Sequence, residues 1–200
     1  MLLYWLFYLV MFNIVERLNP PSRCTVIHCA LDDMIPFNEL FVIPYLMWFV
    51  LLGWLSVYTL FRAPDLFRRF MTFVALTYTV AIFTYLLWPN CQELRPHTMP
   101  RSNLLTDALA FIYRSDTSTN VCPSIHVLGS LAMLFTTRRI PEMQTRPRQL
   151  FFGVMTLLIC LSTVFLKQHS VIDGLAALPL AFLGWCLCFH QRALPLRQTA

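Results

Sequence analysis

The chain has 200 residues, of which 58% are hydrophobic and only 12% are charged. Because a soluble domain typically carries about 25% charged residues, this composition argues against a water-soluble protein and for a bilayer environment. The formal net charge of +5 comes from basic residues that lie between apolar runs and form no single patch, which argues against nucleic-acid binding. The length suits one domain over residues 1–200.

Six apolar runs predict six membrane-spanning helices, since about 17–25 mostly apolar residues cross a bilayer. The runs extend from Met1 to about Val15, from Leu40 to Phe61, from Phe70 to Trp88, from Ser124 to Thr137, from Leu150 to Leu166 and from Val171 to Phe189. The first and fourth runs are short for a crossing. The predicted fold is an all-α, polytopic six-helix bundle in the membrane.

The longest connection joins the third and fourth runs. Within it, the segment from Leu104 to Tyr113 has apolar residues at helical spacing, which predicts an amphipathic helix. Such a helix either lies in the membrane interface or packs on the bundle, and the sequence favours neither arrangement.

Basic residues orient the predicted bundle. With six spans, both termini and the connections after the second and fourth spans lie on one side of the membrane. That side holds nine of the fifteen Lys and Arg residues and only two acids, Asp65 and Glu142. The excess of positive charge predicts that this side is cytoplasmic. We therefore expect an integral membrane protein, located in the plasma membrane, whose opposite face carries most of the carboxylates.

Four of the seven cysteines lie in polar connections on the predicted non-cytoplasmic side: Cys24, Cys29, Cys91 and Cys122. They can form disulfides if that side is oxidising, and the pairing is left open. None of them has the C-x2-C spacing of a metal site.

Three polar clusters border the spans on this same side. Arg95-Pro96 follows the third span, Cys122-Pro123-Ser124-Ile125-His126 enters the fourth, and Lys167 to Asp173 enters the sixth. Because ionisable residues at the edge of a span are costly, they are candidates for function. Their convergence on one face predicts a single site.

The last cluster contains a candidate nucleophile. His169 and Asp173 are four residues apart and share a helical face, so the carboxylate can bind one imidazole nitrogen and leave the other free to attack. Lys167, the only lysine, is a candidate phosphate contact. The structural alternative is an ordinary helix start with a His and an Asp at the headgroup level.

The other two clusters contain candidates for anion binding and for proton donation. Ser124 is placed to cap a helix whose N-terminus favours an anion, and His126 in the first turn can donate a proton to a leaving oxygen. Arg95 offers a planar fork suited to phosphate. Alone, each of these residues has a structural explanation as a cap, a buried histidine or a headgroup anchor.

Together, these residues resemble the type 2 phosphatidic acid phosphatase superfamily, the membrane-bound histidine phosphatases related to vanadium haloperoxidases. The family pattern reads K-x6-R-P, then P-S-G-H, then S-R-x5-H-x3-D. The matching residues are Arg95-Pro96, Pro123-Ser124-x-His126, Ser162 and His169-x3-Asp173. The resemblance covers about Asp32 to Asp173. It looks closest to the inositolphosphoryl and phosphocholine transferase branch, in which segments like Lys167-Gln168-His169 and Ile35-Pro36-Phe37 followed by Pro44-Tyr45 occur.

The chain departs from the family pattern at three positions. Trp88 stands where the first motif has lysine, Ile125 where the second has glycine, and Thr163 where the third has arginine. Two of the usual phosphate-binding cations are therefore missing. Lys167 is a candidate substitute for one of them, and Arg101 is a weaker candidate.

The resemblance implies a mechanism without a metal or other cofactor. His169 would attack phosphorus and form a phosphohistidine, oriented by Asp173, while His126 would protonate the leaving alcohol and then activate the acceptor. Arg95, Lys167 and the N–H groups near Ser124 would hold the phosphate oxygens.

The expected function is hydrolysis of a lipid phosphomonoester presented by the bilayer. The alternative within the family is phosphotransfer of a sphingolipid or phosphoinositol type of headgroup to a lipid alcohol, and a second alternative is a catalytically degenerate membrane protein. Outside the family, a metal hydrolase can use two histidines and a carboxylate. A proton-coupled transporter and an assembly protein are further alternatives. These residues indicate no particular oligomeric state.

Overall fold

Helices form most of the structure, a computed structural model that describes residues 1–190. The helices are α1 Leu3–Leu18, α2 Ala30–Met34, α3 Val42–Arg62, α4 Pro64–Leu87, α5 Leu104–Ser115, α6 Ile125–Thr137, α7 Arg146–Phe165 and α8 Val171–Cys188. Short 3-10 turns cover Pro21–Arg23, Glu39–Phe41 and Pro141–Met143. The two-residue strands β1 Thr25–Val26 and β2 Asn90–Cys91 pair in parallel. The predicted all-α class is confirmed.

Among residues 1–190, four helices are long and apolar enough to cross a membrane. They are Glu39–Arg62, which includes a 3-10 turn before α3, and Pro64–Leu87, Arg146–Phe165 and Val171–Cys188. At 1.5 Å per residue, a 24-residue helix is about 36 Å long, against a hydrocarbon core of about 30 Å. The prediction of a membrane protein is supported by these four helices. The first and fourth predicted spans are shorter, with 16 residues in α1 and 13 in α6.

Prolines and polar caps set the helix boundaries. Only Ala63 separates α3 from α4, and Pro64 begins α4 at a position where the missing N–H costs no hydrogen bond. Pro147 does the same in the first turn of α7. At α8, the Ser170 side chain accepts from the Ile172 N–H and caps the helix. The connections between α3 and α4 and between α7 and α8 are therefore short.

The core lies where α6 packs against α3, α4, α7 and α8. Phe70 and Phe73 of α4 and Leu128 and Ala132 of α6 are completely buried there. The outward faces of α3, α7 and α8, by contrast, carry many exposed Leu, Phe and Val side chains. An apolar outer surface of this extent suits lipid contact.

The predicted amphipathic helix is present as α5 and packs on the bundle. Its side chain Leu109 is fully buried in a cluster with Val42, Tyr45 and Leu166. Asn103 caps the helix by accepting from two backbone N–H groups of the first turn. Helix α5 therefore covers part of one end of the bundle.

One disulfide joins two of the four candidate cysteines. Cys24 and Cys91 are bonded, which links the β1 segment to the β2 segment across a sequence separation of 67 residues. Cys29 and Cys122 are free thiols. The bond lies at the same end of the bundle as α5.

Candidate functional site

His126, His169 and Asp173 lie in a buried line. His169 Nδ1 is 3.2 Å from Asp173 Oδ2, and His169 Nε2 is 3.3 Å from Nδ1 of His126. The two histidines are each 6% exposed and Asp173 is fully buried. The structure thus brings together two residues that are 43 positions apart in the chain.

The turn between α7 and α8 determines the position of His169. Helix α7 ends in a Schellman motif, in which the Gln168 N–H donates to the Thr163 carbonyl at 2.8 Å and the Lys167 N–H donates to the Val164 carbonyl at 3.0 Å. The His169 N–H also donates to the Thr163 carbonyl, at 3.0 Å. Lys167 has a φ of 53° and occupies the left-handed position that usually holds glycine. For a residue with a side chain this costs on the order of 1 kcal/mol. The motif turns the chain sharply, so that His169 precedes α8 by two residues.

Asp173 has two roles in this turn. Its Oδ2 accepts from the Ser170 N–H at 2.9 Å, which completes a capping box at the start of α8. The same oxygen is the one that contacts His169. The cap therefore holds the carboxylate in the orientation that the imidazole needs.

Asp32 is a buried carboxylate that the sequence analysis did not identify. It is 1% exposed. It accepts from Ser170 Oγ at 2.6 Å, from the Val171 N–H at 2.8 Å and from the Cys29 N–H at 2.8 Å. Burial alone would raise the pKa of Asp32, but the hydrogen bonds from Ser170, Val171 and Cys29 outweigh it and lower the pKa. Asp32 thereby fixes α2 to the N-terminus of α8, where a negative charge is favourable.

The segment that leads into α6 is held by two further buried side chains. Asn90 Oδ1 accepts from the N–H groups of Val121 and Cys122, both at 2.8 Å. The Tyr85 hydroxyl donates to the Pro123 carbonyl at 2.7 Å. Asn90 is completely buried, so it specifies the path of this segment and hence the position of His126.

Ser124 occupies the N-cap position of α6 as predicted, but its side chain accepts a hydrogen bond from no N–H group of the first turn. Its N–H donates to the Asp173 carbonyl at 3.0 Å, while its Oγ is buried and has no hydrogen-bond partner. The aromatic rings of Tyr45 and Trp48 pack on His126, with centroid distances of 4.9 and 4.6 Å. The contact of Ser124 with an anion stays a prediction.

Arg95 lies beside the site, with most of its donors bound to the protein. Its Nη1 donates to the carbonyls of Tyr113 and Asp116 at 3.1 and 2.8 Å, and its Nη2 donates to the Thr117 carbonyl at 2.9 Å and to Gln168 Oε1. Its Nε is buried without a partner. Burial lowers the pKa of Arg95. Its role as a phosphate contact stays a prediction.

Lys167 also binds backbone groups. Its Nζ donates to the carbonyls of Asp32 and Ile35, at 2.7 and 2.6 Å, near the end of α2. A cation at the C-terminal end of a helix is favourable. The predicted contact of Lys167 with phosphate is therefore untested, and in this structure the lysine secures α2.

Asp116 is a second carboxylate near the histidines. Burial raises the pKa of Asp116, and the nearby charge of Arg95 opposes that increase. With Gln168 and the two histidines, Asp116 lines a cavity of about 20 Å³, which holds about one water molecule. A phosphate group at this place therefore requires the side chains around the cavity to move apart.

A second, much larger cavity has a volume of about 940 Å³, is open to the outside of the bundle and extends to His126. It lies between α1, α3, α4 and α5, and its wall is mainly apolar. The wall includes Tyr8, Phe12, Tyr45, Trp48, Phe49 and His126. Its volume is at the upper end of the range of about 300–1,000 Å³ that is typical of small-molecule sites.

Comparisons with protein-family models, with curated proteins and with solved structures found no match to the chain. Within residues 1–190, no group of three or more His, Cys, Asp and Glu side chains has an arrangement that could hold a metal ion. The candidate site rests on the geometry of the chain itself, and the motif resemblance stays an expectation.

Replacing Arg95 by lysine is expected to lower the free energy of unfolding by about 2–4 kcal/mol. A lysine ammonium has three donors and lacks the planar fork, so it cannot satisfy four acceptors that a guanidinium reaches, and hydrogen bonds to charged groups contribute about 1.5–3 kcal/mol each. Chemical denaturation in detergent micelles measures the change. The matched control is Arg101→Lys, because Arg101 is largely exposed and makes one ion pair, with the buried Glu39, that a lysine ammonium can keep, so the loss should be only about 0–1 kcal/mol. Equal losses in the two variants would contradict the anchoring role of Arg95.

Proposed function

We propose that this chain is a membrane enzyme that hydrolyses a lipid phosphomonoester through a phosphohistidine on His169. The observation that carries the proposal is the buried line of Asp173, His169 and His126. A carboxylate, a nucleophile and a proton donor in this order match the chemical requirements of a two-step displacement at phosphorus.

In the proposed mechanism the nucleophilic nitrogen is Nε2 of His169. Because the carboxylate binds His169 Nδ1, that nitrogen carries the proton and Nε2 keeps its lone pair. In the first step the Nε2–P bond forms and the bond from phosphorus to the ester oxygen breaks. The leaving alkoxide takes a proton from His126.

The second step regenerates the enzyme. His126 removes a proton from water, the water oxygen attacks phosphorus, and the P–Nε2 bond breaks to release inorganic phosphate. His126 is suited to both steps because it lies between His169 and the large apolar cavity. The Ser124 hydroxyl, the N-terminus of α6 and the unpaired Nε of Arg95 are candidates to hold the phosphate oxygens.

The proposed topology has six spans, with α1 and α6 added to the four longer helices, and places the site on the non-cytoplasmic face of the plasma membrane. Helix α6 has 13 residues and rises only about 20 Å, so His126 would start below the headgroup plane. A recessed site suits a substrate whose tails stay in the bilayer. The disulfide at the same end of the bundle supports an oxidising compartment on that side.

Counting the cysteines that can be alkylated before and after reduction tests this topology. When cells are lysed in an excess of a thiol-alkylating reagent and the protein is denatured, we expect five of the seven cysteines to be labelled before reduction and all seven after it. Mass spectrometry counts the labels. In the Cys24→Ser variant the number should be six both before and after reduction. Seven labels without reduction would place Cys24 and Cys91 in a reducing compartment and overturn the proposed orientation.

The second candidate is phosphotransfer to a lipid alcohol. It is favoured by the cavity of about 940 Å³, because an apolar space that reaches His126 can hold an acceptor whose hydroxyl that residue would deprotonate. In this case a lipid alcohol takes the place of water in the second step, and no free phosphate is released.

The experiment uses the purified full chain in detergent with a panel of lipid phosphomonoesters and phospholipids. Phosphate release that persists in excess EDTA is expected for the hydrolase. Release that stops with EDTA and returns with a divalent metal would favour a metal hydrolase. Transfer that requires an added lipid alcohol would favour the second candidate, and the lack of both reactions would favour a catalytically degenerate protein.

A further inference from the structure

We propose that the Gln168 side chain is a placeholder for the substrate phosphate. Its amide oxygen binds Arg95 in the unliganded site and gives up that place to a phosphate oxygen when substrate enters. The inference rests on the proposed function, because it concerns the same phosphate site. It assigns Gln168 a positioning role that the motifs do not indicate.

The first observation is the set of partners around Arg95. Three of the four acceptors bound by its terminal nitrogens are backbone carbonyls, which cannot leave without unfolding the last turn of α5 and the loop that follows it. The fourth is Gln168 Oε1, an atom at the end of a side chain with three rotatable bonds. Gln168 is therefore the one partner that can exchange while the fold is kept.

The second observation is how weakly the rest of Gln168 is anchored. Its Nε2 is 3.5 Å from the Tyr45 hydroxyl, at the long limit for a hydrogen bond. Its backbone N–H, by contrast, is fixed to the Thr163 carbonyl at 2.8 Å. Rotation of the side chain alone therefore frees Arg95, and the peptide that carries His169 stays in place.

The third observation is the lack of space for a phosphate. Gln168 is 2% exposed and lines the cavity of about 20 Å³ with His126 and His169, whose facing nitrogens are only 3.3 Å apart. Withdrawal of the Gln168 amide enlarges this cavity on the side of Arg95. Because an anion binds a guanidinium more strongly than a neutral amide does, phosphate can displace the amide.

Two substitutions with opposite expected effects test the placeholder. Gln168→Ala removes the competing acceptor, so the Kd of inorganic phosphate should fall about tenfold, as for the loss of one competing charged hydrogen bond. Gln168→Glu keeps the size and adds a charge that pairs with Arg95, so the Kd should rise by at least about tenfold. Calorimetric titration of the full chain in detergent with inorganic phosphate measures both. A side chain that only fills space would not give opposite signs.

The control is Gln149→Ala, because the Gln149 amide donates to the Met143 carbonyl at the other end of the bundle. Its phosphate affinity should equal that of the unmodified chain. An unchanged or weaker affinity in Gln168→Ala overturns the placeholder, as does the lack of saturable phosphate binding in both proteins. If phosphate affinity changes as expected but no lipid is turned over, the placeholder stands and the proposed reaction fails. If lipid is turned over but all variants bind phosphate with the same affinity, the proposed reaction stands and the placeholder fails.

Discussion

Replacing His169 by alanine is expected to lower kcat for lipid phosphate turnover by about 10³-fold or more. Alanine has no ring nitrogen to form the bond to phosphorus, and loss of a nucleophile removes the covalent route altogether. The fold should persist, because the backbone N–H that His169 donates to the Thr163 carbonyl is unaffected. Rapid quenching with a ³²P-labelled substrate measures both turnover and the phosphoenzyme. The adduct should be acid-labile and base-stable in the unmodified chain and missing in the variant.

The matched control is His28→Ala. His28 is an exposed histidine on the same end of the bundle, and its Nε2 is 2.9 Å from Asp33 Oδ1. Its loss should change kcat by less than about twofold, since exposed ion pairs contribute little. A labelled phosphoenzyme that survives in His169→Ala would contradict the assignment of the nucleophile, and equal losses in the two variants would indicate a general effect on folding.

Replacing Asp32 by asparagine is expected to lower the free energy of unfolding by about 2–4 kcal/mol. The buried carboxylate accepts hydrogen bonds from three donors, and asparagine replaces one of its two oxygens by an NH2 group, which cannot accept a hydrogen bond. Activity should fall as well, since Ser170 and the start of α8 orient His169. Denaturant unfolding in detergent measures the stability change, and kcat measures the effect on the site.

The pH dependence gives Asp32 a second test. Its pKa is lowered in the folded state, so its stabilisation is fully present above the pKa of about 3.9 of an unfolded aspartate and is lost as the pH falls through the folded value. The difference in stability between the unmodified chain and Asp32→Asn should therefore shrink below about pH 4. The neighbouring variant Asp33→Asn is the control, because Asp33 is exposed and should change stability by less than about 0.5 kcal/mol. Similar losses in both variants would contradict the structural role of Asp32.

Helices that follow from the length or spacing of apolar residues could be predicted from the sequence without the structure. Runs such as Leu40 to Phe61 and Leu150 to Leu166 are apolar over the length of a bilayer, so the four long helices were predictable. The helical spacing from Leu104 to Tyr113 predicted α5 in the same way. The pairing of His169 with Asp173 was also predictable, because residues four apart meet at the start of a helix. Their catalytic role stays a prediction.

The tertiary structure decided which distant groups meet. The contact of Asp32 with Ser170 joins residues 138 positions apart, and the bond between Cys24 and Cys91 selects one pair among four candidate thiols. In the structure Arg95 and Lys167 donate to backbone carbonyls, whereas the motifs predicted that both would contact phosphate. Hydrophobic periodicity determines which segments become helices. Hydrogen bonds between loops depend on how those helices pack, so they cannot be predicted from local sequence patterns.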